Sequence, residues 1–252
     1  MLRRNILITG ASSGIGLGLA REFAARGRNL ALCARRLDRL TELREVLTKT
    51  YPEITVEVRQ LDVTDPSRVH EVFEDFRSAL GSLDRIIVNA GIAGGGPIGR
   101  ASDEEGNLAL LRTNVLGSYL QCSAAMSILR EQNVGGHLVL MSSMSAKRGL
   151  PGPLATYAAS KAAVASFGQS LGADAVGTPI VVTTLYPGYI RTEMTDTSGG
   201  EIPFIIEADL GTRLLAKAIE REPGSAIVPS WPWKPIAATV RLLPTRVVAK
   251  LS

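Results

Sequence analysis

The chain has 252 residues, a formal net charge of +4, and a composition that is 45% hydrophobic and 5% aromatic. This length and the high aliphatic content predict one large α/β domain, in which strands rich in Val, Ile and Leu are covered by helices. No apolar run approaches the ~20 residues of a membrane-spanning helix. The first residues lead directly into a strand, so we expect a cytoplasmic protein without a signal peptide.

The excess positive charge is confined to the end of the chain. No Asp or Glu follows Glu222, so this region of the chain is purely basic. No clustered basic face or recognition motif accompanies the charge, and nucleic-acid binding is therefore not expected. The basic residues of this region are Lys234, Arg241, Arg246 and Lys250.

The two cysteines indicate neither a disulfide nor a metal site. Cys33 falls in a predicted strand and Cys122 in a predicted helix, and their spacing matches no disulfide framework or metal-ligand motif. We therefore expect two small core residues and no bound metal.

Apolar runs typical of buried strands alternate with helical patterns along the chain. The predicted strands cover residues 5–9, 29–34, 55–61, 83–89, 136–142, 180–186 and 226–229. The predicted helices cover 14–26, 37–51, a segment that begins at 66, 105–132, 155–176 and 209–221. Repeated strand–helix–strand units with right-handed crossovers predict a Rossmann-like, doubly wound parallel sheet with helices on both faces. We predict a single catalytic domain over residues 1–230 and a basic tail over 231–252.

A glycine-rich turn, TGASSGIG over residues 9–16, follows the first predicted strand and opens the first predicted helix. Glycines at such a place allow a tight turn and let the backbone approach a pyrophosphate at the helix N-terminus. Because the turn lies in the first strand–helix–strand unit, it predicts dinucleotide binding. The residues expected to bind the cofactor here are Gly10, Ser12, Ser13, Gly14, Ile15 and Gly16.

The end of the second predicted strand indicates which cofactor this turn binds. An NAD site usually has an acidic residue there, which holds the ribose 2′-hydroxyl, but this chain has Ala34, and the nearest acid is Asp38. Arg35 and Arg36 follow at the start of a helix, where positive charge opposes the helix dipole. A 2′-phosphate would explain both arginines, so we predict NADP(H) rather than NAD(H).

Two further strand ends supply candidate cofactor contacts. Asp62, followed by Val63, is placed to accept a hydrogen bond from an adenine amino group. The alternative for Asp62 is a cap for the next helix, a role that Thr64 or Asp65 fills better. The small residues at 89–91 (Asn89, Ala90 and Gly91) would let the cofactor lie flat against the strand end.

Asn114 lies inside the predicted helix over 105–132. Asparagine has a poor helix propensity, and an interior amide requires hydrogen-bond partners. Its position therefore indicates either a specific role in the site or a satisfied asparagine of the core.

Tyr157 and Lys161 are four residues apart on one face of the predicted helix over 155–176. An ammonium beside a phenol favours the phenolate. Lowering the pKa of a tyrosine from ~10 to about 7 requires roughly 4 kcal/mol, and a unit charge ~4 Å away at an effective dielectric of ~20 supplies about that much. The pair therefore predicts a tyrosine that serves as a general acid/base at neutral pH.

The order of these motifs resembles the short-chain dehydrogenase/reductase family, in its short single-domain branch. The resemblance covers about residues 5–192 and includes the late segment PGYIRT over 187–192. It implies an NADP(H)-dependent oxidoreductase that interconverts a ketone or aldehyde with an alcohol. It also implies a homodimer or homotetramer, with interfaces formed by the helices around Asn114 and Tyr157.

The resemblance further implies a role for each residue of the site. Tyr157 would exchange a proton with the substrate oxygen, and Lys161 would bind the nicotinamide ribose and lower the pKa of the tyrosine. Ser143 would hydrogen-bond the substrate carbonyl, and Asn114 would hold a water that links Lys161 to solvent. The late segment would lie over the nicotinamide, with Ile190 and Thr192 fixing its carboxamide. The nicotinamide contacts are Pro187, Gly188, Ile190 and Thr192.

One spacing departs from the family pattern. The gap between Ser143 and Tyr157 is one residue longer than usual, with the surplus in the Pro-Gly-Pro at 151–153. Ser142 and Ser145 are therefore alternatives for the serine role. We favour Ser143, because a loop insertion after the serine is easily absorbed.

The family resemblance does not name the substrate. Segments 144–153 and 189–206 are predicted to wall the pocket, and their apolar side chains favour a lipophilic carbonyl or alcohol, such as a steroid, a fatty-acyl derivative or a xenobiotic ketone. Phe204 and its neighbours alternatively form the core of a lid helix, flanked by 198–200, that orders on binding. The apolar residues are Met144, Leu150, Tyr189, Met194, Ile202, Phe204 and Ile205, and the acids are Glu193, Asp196 and Glu201.

The tail contains both tryptophans, and Ile236, Val240 and Leu243 recur at helical spacing before Pro244. Tryptophans, an apolar stripe and cations are typical of a helix that lies on a membrane surface. We favour the alternative, in which the tail packs on a neighbouring subunit or closes the pocket.

A nucleotide-sensing regulator that kept the fold and lost the chemistry is the alternative to an enzyme. A sensor has no need of the complete catalytic set. This chain has all of it, which favours the enzyme: Asn114, Ser143, Tyr157 and Lys161.

Overall fold

A computed structural model describes residues 3–196 and 202–249. Within these residues, a seven-stranded sheet has the order β3-β2-β1-β4-β5-β6-β7, and all of its neighbouring strands are parallel. The chain winds outward from β1 to β3, crosses back to β4, and winds outward again to β7. The strands are β1 (Asn5–Thr9), β2 (Asn29–Ala34), β3 (Val56–Gln60), β4 (Arg85–Val88), β5 (Gly136–Met141), β6 (Ile180–Pro187) and β7 (Ser225–Val228).

Helices cover both faces of the sheet, which confirms the predicted doubly wound fold. Residues alternate between faces along β1: Ile6 and Ile8 join the core beneath α1, α2 and α8, whereas Leu7 joins the core beneath α3, α5 and α6. The helices are α1 (Gly14–Ala24), α2 (Leu37–Thr50), α3 (Pro66–Leu80), α4 (Glu104–Leu111), α5 (Gly117–Glu131), α6 (Ala155–Asp174), α7 (Glu193–Asp196), α8 (Ala208–Glu220), α9 (Trp233–Val240) and α10 (Thr245–Val248).

The ends of α3 follow the local sequence. Asp65 caps the helix by accepting hydrogen bonds from the backbone N–H groups of Ser67 and Arg68, both at 3.1 Å. Gly81 ends it in the left-handed region, at φ 80°. The cap is therefore Asp65, one of the two residues that the sequence offered, and the side chain of Asp62 has no part in it.

The helix predicted over 105–132 is interrupted. A π-helical turn, Arg112–Leu116, separates α4 from α5. Asn114 lies in this turn with 1% of its surface exposed, and its amide accepts from the N–H of Ile92 at 2.8 Å and donates to the carbonyl of Ile92 at 2.9 Å. The prediction of one continuous helix was wrong at this turn, because helical periodicity alone does not reveal a side chain that is bonded to a distant loop. Such π turns are frequent at functional sites.

A buried ionic cluster joins β4, β5 and β6 at the end of the sheet opposite the glycine-rich turn. The Arg85 guanidinium donates to Nδ1 of His137 at 2.9 Å and forms ion pairs with Glu220 and Glu222, both at 3.1 Å. Because the Thr183 hydroxyl donates to a backbone carbonyl, Nε2 of His137 must carry the proton that bridges the 2.8 Å to Thr183. Burial, followed by the charge of Arg85, lowers the pKa of His137 to about 3, so this imidazole is neutral.

The C-terminal segment packs onto the end of β6. α9 contacts β7 and the 3₁₀ turn at Met144–Lys147. Trp233 is 7% exposed and meets the rings of Tyr189 and Phe204 edge-on, at centroid distances of 5.5 and 6.1 Å. Trp231, in contrast, is 79% exposed. In the part of the chain that is described, no helix has the length and apolar character needed to cross a membrane.

Candidate active site

The glycine-rich turn has the conformation that its sequence predicts. Gly10 and Gly14 have φ of +65° and +54°, a region that other residues adopt only with strain. Gly10 lies against the next strand end, where an added Cβ would be 2.9 Å from Cα of Ala90. The hydroxyl of Thr9 accepts the backbone N–H groups of Asn89 and Ala90, both at 3.0 Å. Residues 89–91 and the turn therefore form one surface.

The N-terminus of α1 suits an anion. Ser13 is the N-cap, but its side chain makes no capping bond, and the first turn contains no acidic residue. Among the described residues, the first backbone N–H groups of α1 thus have no side-chain partner, and they point out of the helix end. A Cβ on Gly14 would lie 3.4 Å from the methyl group of Thr192, so the late segment covers this turn. A pyrophosphate fits this donor set.

The two arginines after β2 are placed differently. Arg36 lies on the turn, where its guanidinium donates to the hydroxyl of Ser13 at 2.7 Å and to that of Ser12 at 3.3 Å. The side chain of Arg35 is exposed. The sequence named both as ligands of a 2′-phosphate, and the geometry favours Arg36.

Glu193 does not lie where the sequence placed it. The sequence assigned this acid to the substrate pocket, but its carboxylate binds Arg36 at 3.4 Å and Arg39 at 2.7 Å. The hydrogen bond from Arg39 is the largest of the effects that lower the pKa of Glu193, so the carboxylate is ionised. The expectation failed because the pairing depends on how the late segment folds back over α2. Arg39 was missed, although it follows Arg36 by three residues.

The residues predicted to contact the adenine lie at the carboxyl end of β3. The carboxylate of Asp62 is exposed and accepts hydrogen bonds from the N–H and hydroxyl of Thr64, at 2.9 and 2.8 Å. Val63 is buried and contacts Gly117, where an added Cβ would lie 2.8 Å from the Val63 side chain. The position is compatible with an adenine contact by Asp62, which stays a prediction.

Lys161 is buried at the carboxyl end of β5. Its ammonium donates to the carbonyl of Met141 at 3.1 Å, and its own carbonyl accepts from the hydroxyl of Ser142 at 2.7 Å. Burial lowers the pKa of Lys161 to about 8. An added Cβ on Gly91 would lie 3.3 Å from Nζ, so the lysine faces the surface formed by residues 89–91.

The hydroxyl of Ser143 lies beside the phenol of Tyr157, close enough to lower the pKa of that phenol. It also accepts from the backbone N–H of Ser145 at 3.1 Å, whereas Ser142 is buried and bonded to the helix behind it. Of the three candidate serines, Ser143 is therefore the one in contact with Tyr157. The surplus residue falls in a separate 3₁₀ turn, Gly152–Leu154.

The pKa of Tyr157 differs from the sequence-based expectation. Burial raises it, and the hydrogen bond from Ser143 offsets only part of that rise. The ammonium of Lys161 lies 5.8 Å from the centre of the tyrosine ring and is bonded to Met141 instead. The predicted lowering by Lys161 was wrong for this arrangement, because removing the phenol from water disfavours its anion more strongly than the lysine favours it.

Asn114 completes the group, close to both the lysine and the glycine. A Cβ on Gly91 would lie 3.1 Å from its Oδ1, and its Nδ2 also donates to the hydroxyl of Ser160 at 3.1 Å. The side chain is thus fully satisfied within the protein. The water-holding role implied by the resemblance stays a prediction.

The late segment is placed between the turn and the tail. The side chain of Ile190 is buried in the core against Gly211, where an added Cβ would lie 2.7 Å from it. A contact between Ile190 and the carboxamide would therefore have to come from the Ile190 backbone. Gly188 lies against the indole of Trp233, a residue that sequence analysis assigned to the tail rather than to the site. The predicted lid flank at 198–200 and Glu201 lie outside the described residues, as do the side chain of Asp196 and Lys250.

The model of the short chain dehydrogenase family matches residues 4–201. An uncharacterized oxidoreductase of Mycobacterium tuberculosis is 47% identical over 250 residues, which covers 99% of this chain and 98% of the relative. The 11-beta-hydroxysteroid dehydrogenase 1A of Arabidopsis thaliana is 37% identical over 207 residues, or 81% of this chain and 58% of the relative. The protein therefore belongs to the short-chain dehydrogenase/reductase family and is an oxidoreductase.

Solved structures agree with the fold. A short-chain dehydrogenase/reductase from Burkholderia phymatum, determined in complex with NAD, has a TM-score of 0.82 with 23% identity. The superposition covers 96% of this chain and 94% of that chain. At this identity the similarity establishes the shared architecture.

Proposed function

We propose that the protein is an NADP(H)-dependent oxidoreductase that interconverts a ketone or aldehyde with an alcohol, with Tyr157 as the general acid/base. The observation that carries the proposal is the position of the Ser143 hydroxyl beside the Tyr157 phenol, whose pKa it lowers, next to the buried Lys161. A substrate oxygen that approaches these two hydroxyls would be hydrogen-bonded by both.

The described residues fit the cofactor at each of its charged or polar parts. The uncapped N-terminus of α1 suits the pyrophosphate, Arg36 suits a 2′-phosphate, and Lys161 suits the hydroxyls of the nicotinamide ribose. NADP(H), when bound there, would supply or accept the hydride. Asp62 would meet the adenine.

The proton chemistry belongs to Tyr157. Because burial raises its pKa, the phenol is protonated at neutral pH and is an acid in the direction of carbonyl reduction. It gives its proton to the substrate oxygen as that oxygen gains negative charge. Lys161, with a pKa of about 8, is mainly an ammonium at pH 7 and favours the tyrosinate that remains.

Lipophilic substrates suit the surroundings of the site. Tyr189, Phe204 and Trp233 form an aromatic cluster next to the late segment, and Met194 and Phe204 expose 41% and 58% of their surfaces. A related Arabidopsis protein is named a hydroxysteroid dehydrogenase, which supports a bulky apolar carbonyl or alcohol. Ordered aromatic rings of this kind bind apolar ligands through area burial.

Self-association accompanies this function. Large apolar side chains are exposed on α4, the π turn, α5 and the 3₁₀ turn before α6, as is typical of an interface. A homodimer or homotetramer would cover them, and light scattering should give two or four times the mass of one chain. The mass of a single chain would contradict this part of the proposal. The exposed residues are Leu108, Leu111, Leu116, Tyr119 and Leu154.

The test is NADPH oxidation, followed by absorbance, with a panel of lipophilic and polar carbonyl compounds. We expect turnover of lipophilic ketones or aldehydes, and faster turnover with NADPH than with NADH. Faster turnover of small polar aldoses would contradict the lipophilic substrate class. Tight NADPH binding without any turnover would favour the nucleotide-sensing regulator.

A further inference from the structure

Two guanidinium groups converge on one carboxylate beside the glycine-rich turn. Glu193 binds Arg39 through one oxygen at 2.7 Å and Arg36 through the other at 3.4 Å. The two arginines come from the start of α2, whereas Glu193 is the first residue of α7, far away in the chain. The pairing therefore joins the late segment to the end of β2.

Arg36 is held independently of Glu193. Its Nε and Nη2 donate to the hydroxyls of Ser12 and Ser13, which leaves Nη1 for the carboxylate. The turn thus fixes the guanidinium at the edge of the dinucleotide groove. Arg39 reaches the same point from the first turn of α2, with 42% of its side chain exposed.

A carboxylate between two arginines marks a place that is built for an anion. The proposed function puts a phosphate at the same place, because Arg36 is the candidate ligand of the 2′-phosphate. The phosphate and the ionised Glu193 cannot share both guanidinium groups, since two like charges a few Å apart repel each other. NAD(H), which has a 2′-hydroxyl there, presents no such conflict.

We propose, on the basis of that function, that Glu193 is a specificity-determining residue that occupies the 2′-phosphate subsite and competes with NADP(H) for Arg36 and Arg39. Binding of NADP(H) displaces the carboxylate, so Glu193 narrows the preference for NADP(H) over NAD(H). Arg39, which binds the same carboxylate as Arg36, is the second phosphate ligand rather than Arg35.

The competition links NADP(H) binding to the position of the late segment. Glu193 directly follows Thr192, whose methyl group lies next to Gly14, so displacement of the carboxylate occurs where the segment covers the pyrophosphate site. The carboxylate is ionised at neutral pH, because the hydrogen bond from Arg39 lowers its pKa. Competition therefore persists through the neutral range.

Calorimetric titration of the full chain separates the contribution of the phosphate from that of the rest of the cofactor. The probes are 2′,5′-ADP against 5′-ADP, and NADPH against NADH, at one low ionic strength. For Glu193→Gln, we expect 2′,5′-ADP and NADPH to bind about fivefold more tightly, which is the effect of one like charge at close range. The Kd values of 5′-ADP and NADH should change less than twofold.

Glu207→Gln is the matched control. Glu207 is also an exposed acid near the late segment, and it pairs with Arg191 at 3.0 Å, outside the arginine pair of α2. This variant should leave all four Kd values unchanged. Arg39→Gln should weaken 2′,5′-ADP and NADPH by about tenfold and leave NADH unaffected, whereas Arg35→Gln should do much less.

Three results would overturn the inference. One is an unchanged or weaker affinity of Glu193→Gln for 2′,5′-ADP. Another is equal weakening of NADPH and NADH binding in Glu193→Gln, which would show that Glu193 stabilises the binding of the whole cofactor. The third is a larger effect of Arg35→Gln than of Arg39→Gln. Failure of the proposed function looks different: without a cofactor site the wild-type chain would bind neither NADPH nor NADH, and without the proposed chemistry it would bind them but show no turnover with any carbonyl compound.

Discussion

The Ser143 hydroxyl lies beside the Tyr157 phenol and lowers its pKa, across the connection between β5 and α6. The contact joins a residue just after the end of a strand to one in the first turn of a helix. Two neighbouring hydroxyls define one position for a substrate oxygen, which is the geometric basis of the proposed chemistry.

The serine assignment leads to the first prediction. Ser143→Ala should lower kcat by about 10²-fold, because one hydrogen-bond donor to the developing oxyanion is lost. Ser145→Ala should change kcat by no more than a few-fold. Ser142→Ala should cost about 1 kcal/mol of stability through its lost bond to Lys161. Steady-state kinetics and urea unfolding measure both effects, and a larger kcat loss for Ser145→Ala than for Ser143→Ala would refute the assignment.

The second prediction concerns the glycine-rich turn. A Cβ at Gly16 would meet the carbonyl oxygen of Gly10 and lie 2.7 Å from the amide of Asn89. Gly16→Ala should therefore destabilise the fold by about 1–3 kcal/mol and weaken NADPH binding. Gly172→Ala is the control: it is also a helical glycine, but its nearest neighbour would be 3.9 Å away. Wild-type NADPH affinity in Gly16→Ala would show that the turn does not hold the cofactor.

The third prediction is a pH dependence of stability that comes from His137. Its pKa falls from 6.5 to about 3 on folding, so the unfolded chain binds more protons between these values. The stabilisation is complete above pH 6.5 and is lost as the pH falls, by about 2 kcal/mol at pH 5. Urea unfolding at pH 5, 6 and 7 measures it.

Variants separate this effect from other titrations. His137→Gln should be less stable at pH 7 and should lose much of the dependence between pH 5 and 7. His70→Gln changes an exposed histidine on α3 and should keep the wild-type dependence. An unaltered pH dependence in His137→Gln would show that this imidazole is not the group responsible.

The fourth prediction distinguishes the two tryptophans of the C-terminal segment. Trp233→Leu removes the ring that meets Tyr189 and Phe204, and it should raise KM for a lipophilic carbonyl by about tenfold with little change in KM for NADPH. Trp231→Leu, at a 79% exposed position, should leave both unchanged. If Trp231→Leu alone reduced co-sedimentation of the chain with anionic liposomes, the membrane interpretation of the tail would gain support instead.

Much of the fold is determined by patterns that the sequence displays directly. Buried parallel strands are continuous apolar runs, and each predicted strand is present with its ends shifted by no more than two residues. The glycine-rich turn could also be predicted from the sequence, because the positive φ of Gly10 and Gly14 favours glycine at these positions. Such features depend on neighbours in the chain.

The remaining features depend on contacts between distant segments. The π turn contains Asn114, whose amide is bonded to Ile92, and Glu193 is paired with arginines more than 150 positions away. The raised pKa of Tyr157 reflects burial, which the spacing to Lys161 does not reveal. Sequence patterns thus named the chemical groups of the candidate site, whereas their pairing required the tertiary structure.

The most direct test of the proposed mechanism is single-turnover oxidation of NADPH by a lipophilic carbonyl substrate, with wild type, Tyr157→Phe and Tyr51→Phe compared at pH 7. We predict that Tyr157→Phe binds NADPH normally but reacts about 10²–10⁴-fold more slowly, while Tyr51→Phe matches the wild type. A Tyr157→Phe variant that reacts at the wild-type rate would contradict the assignment of Tyr157 as the proton donor.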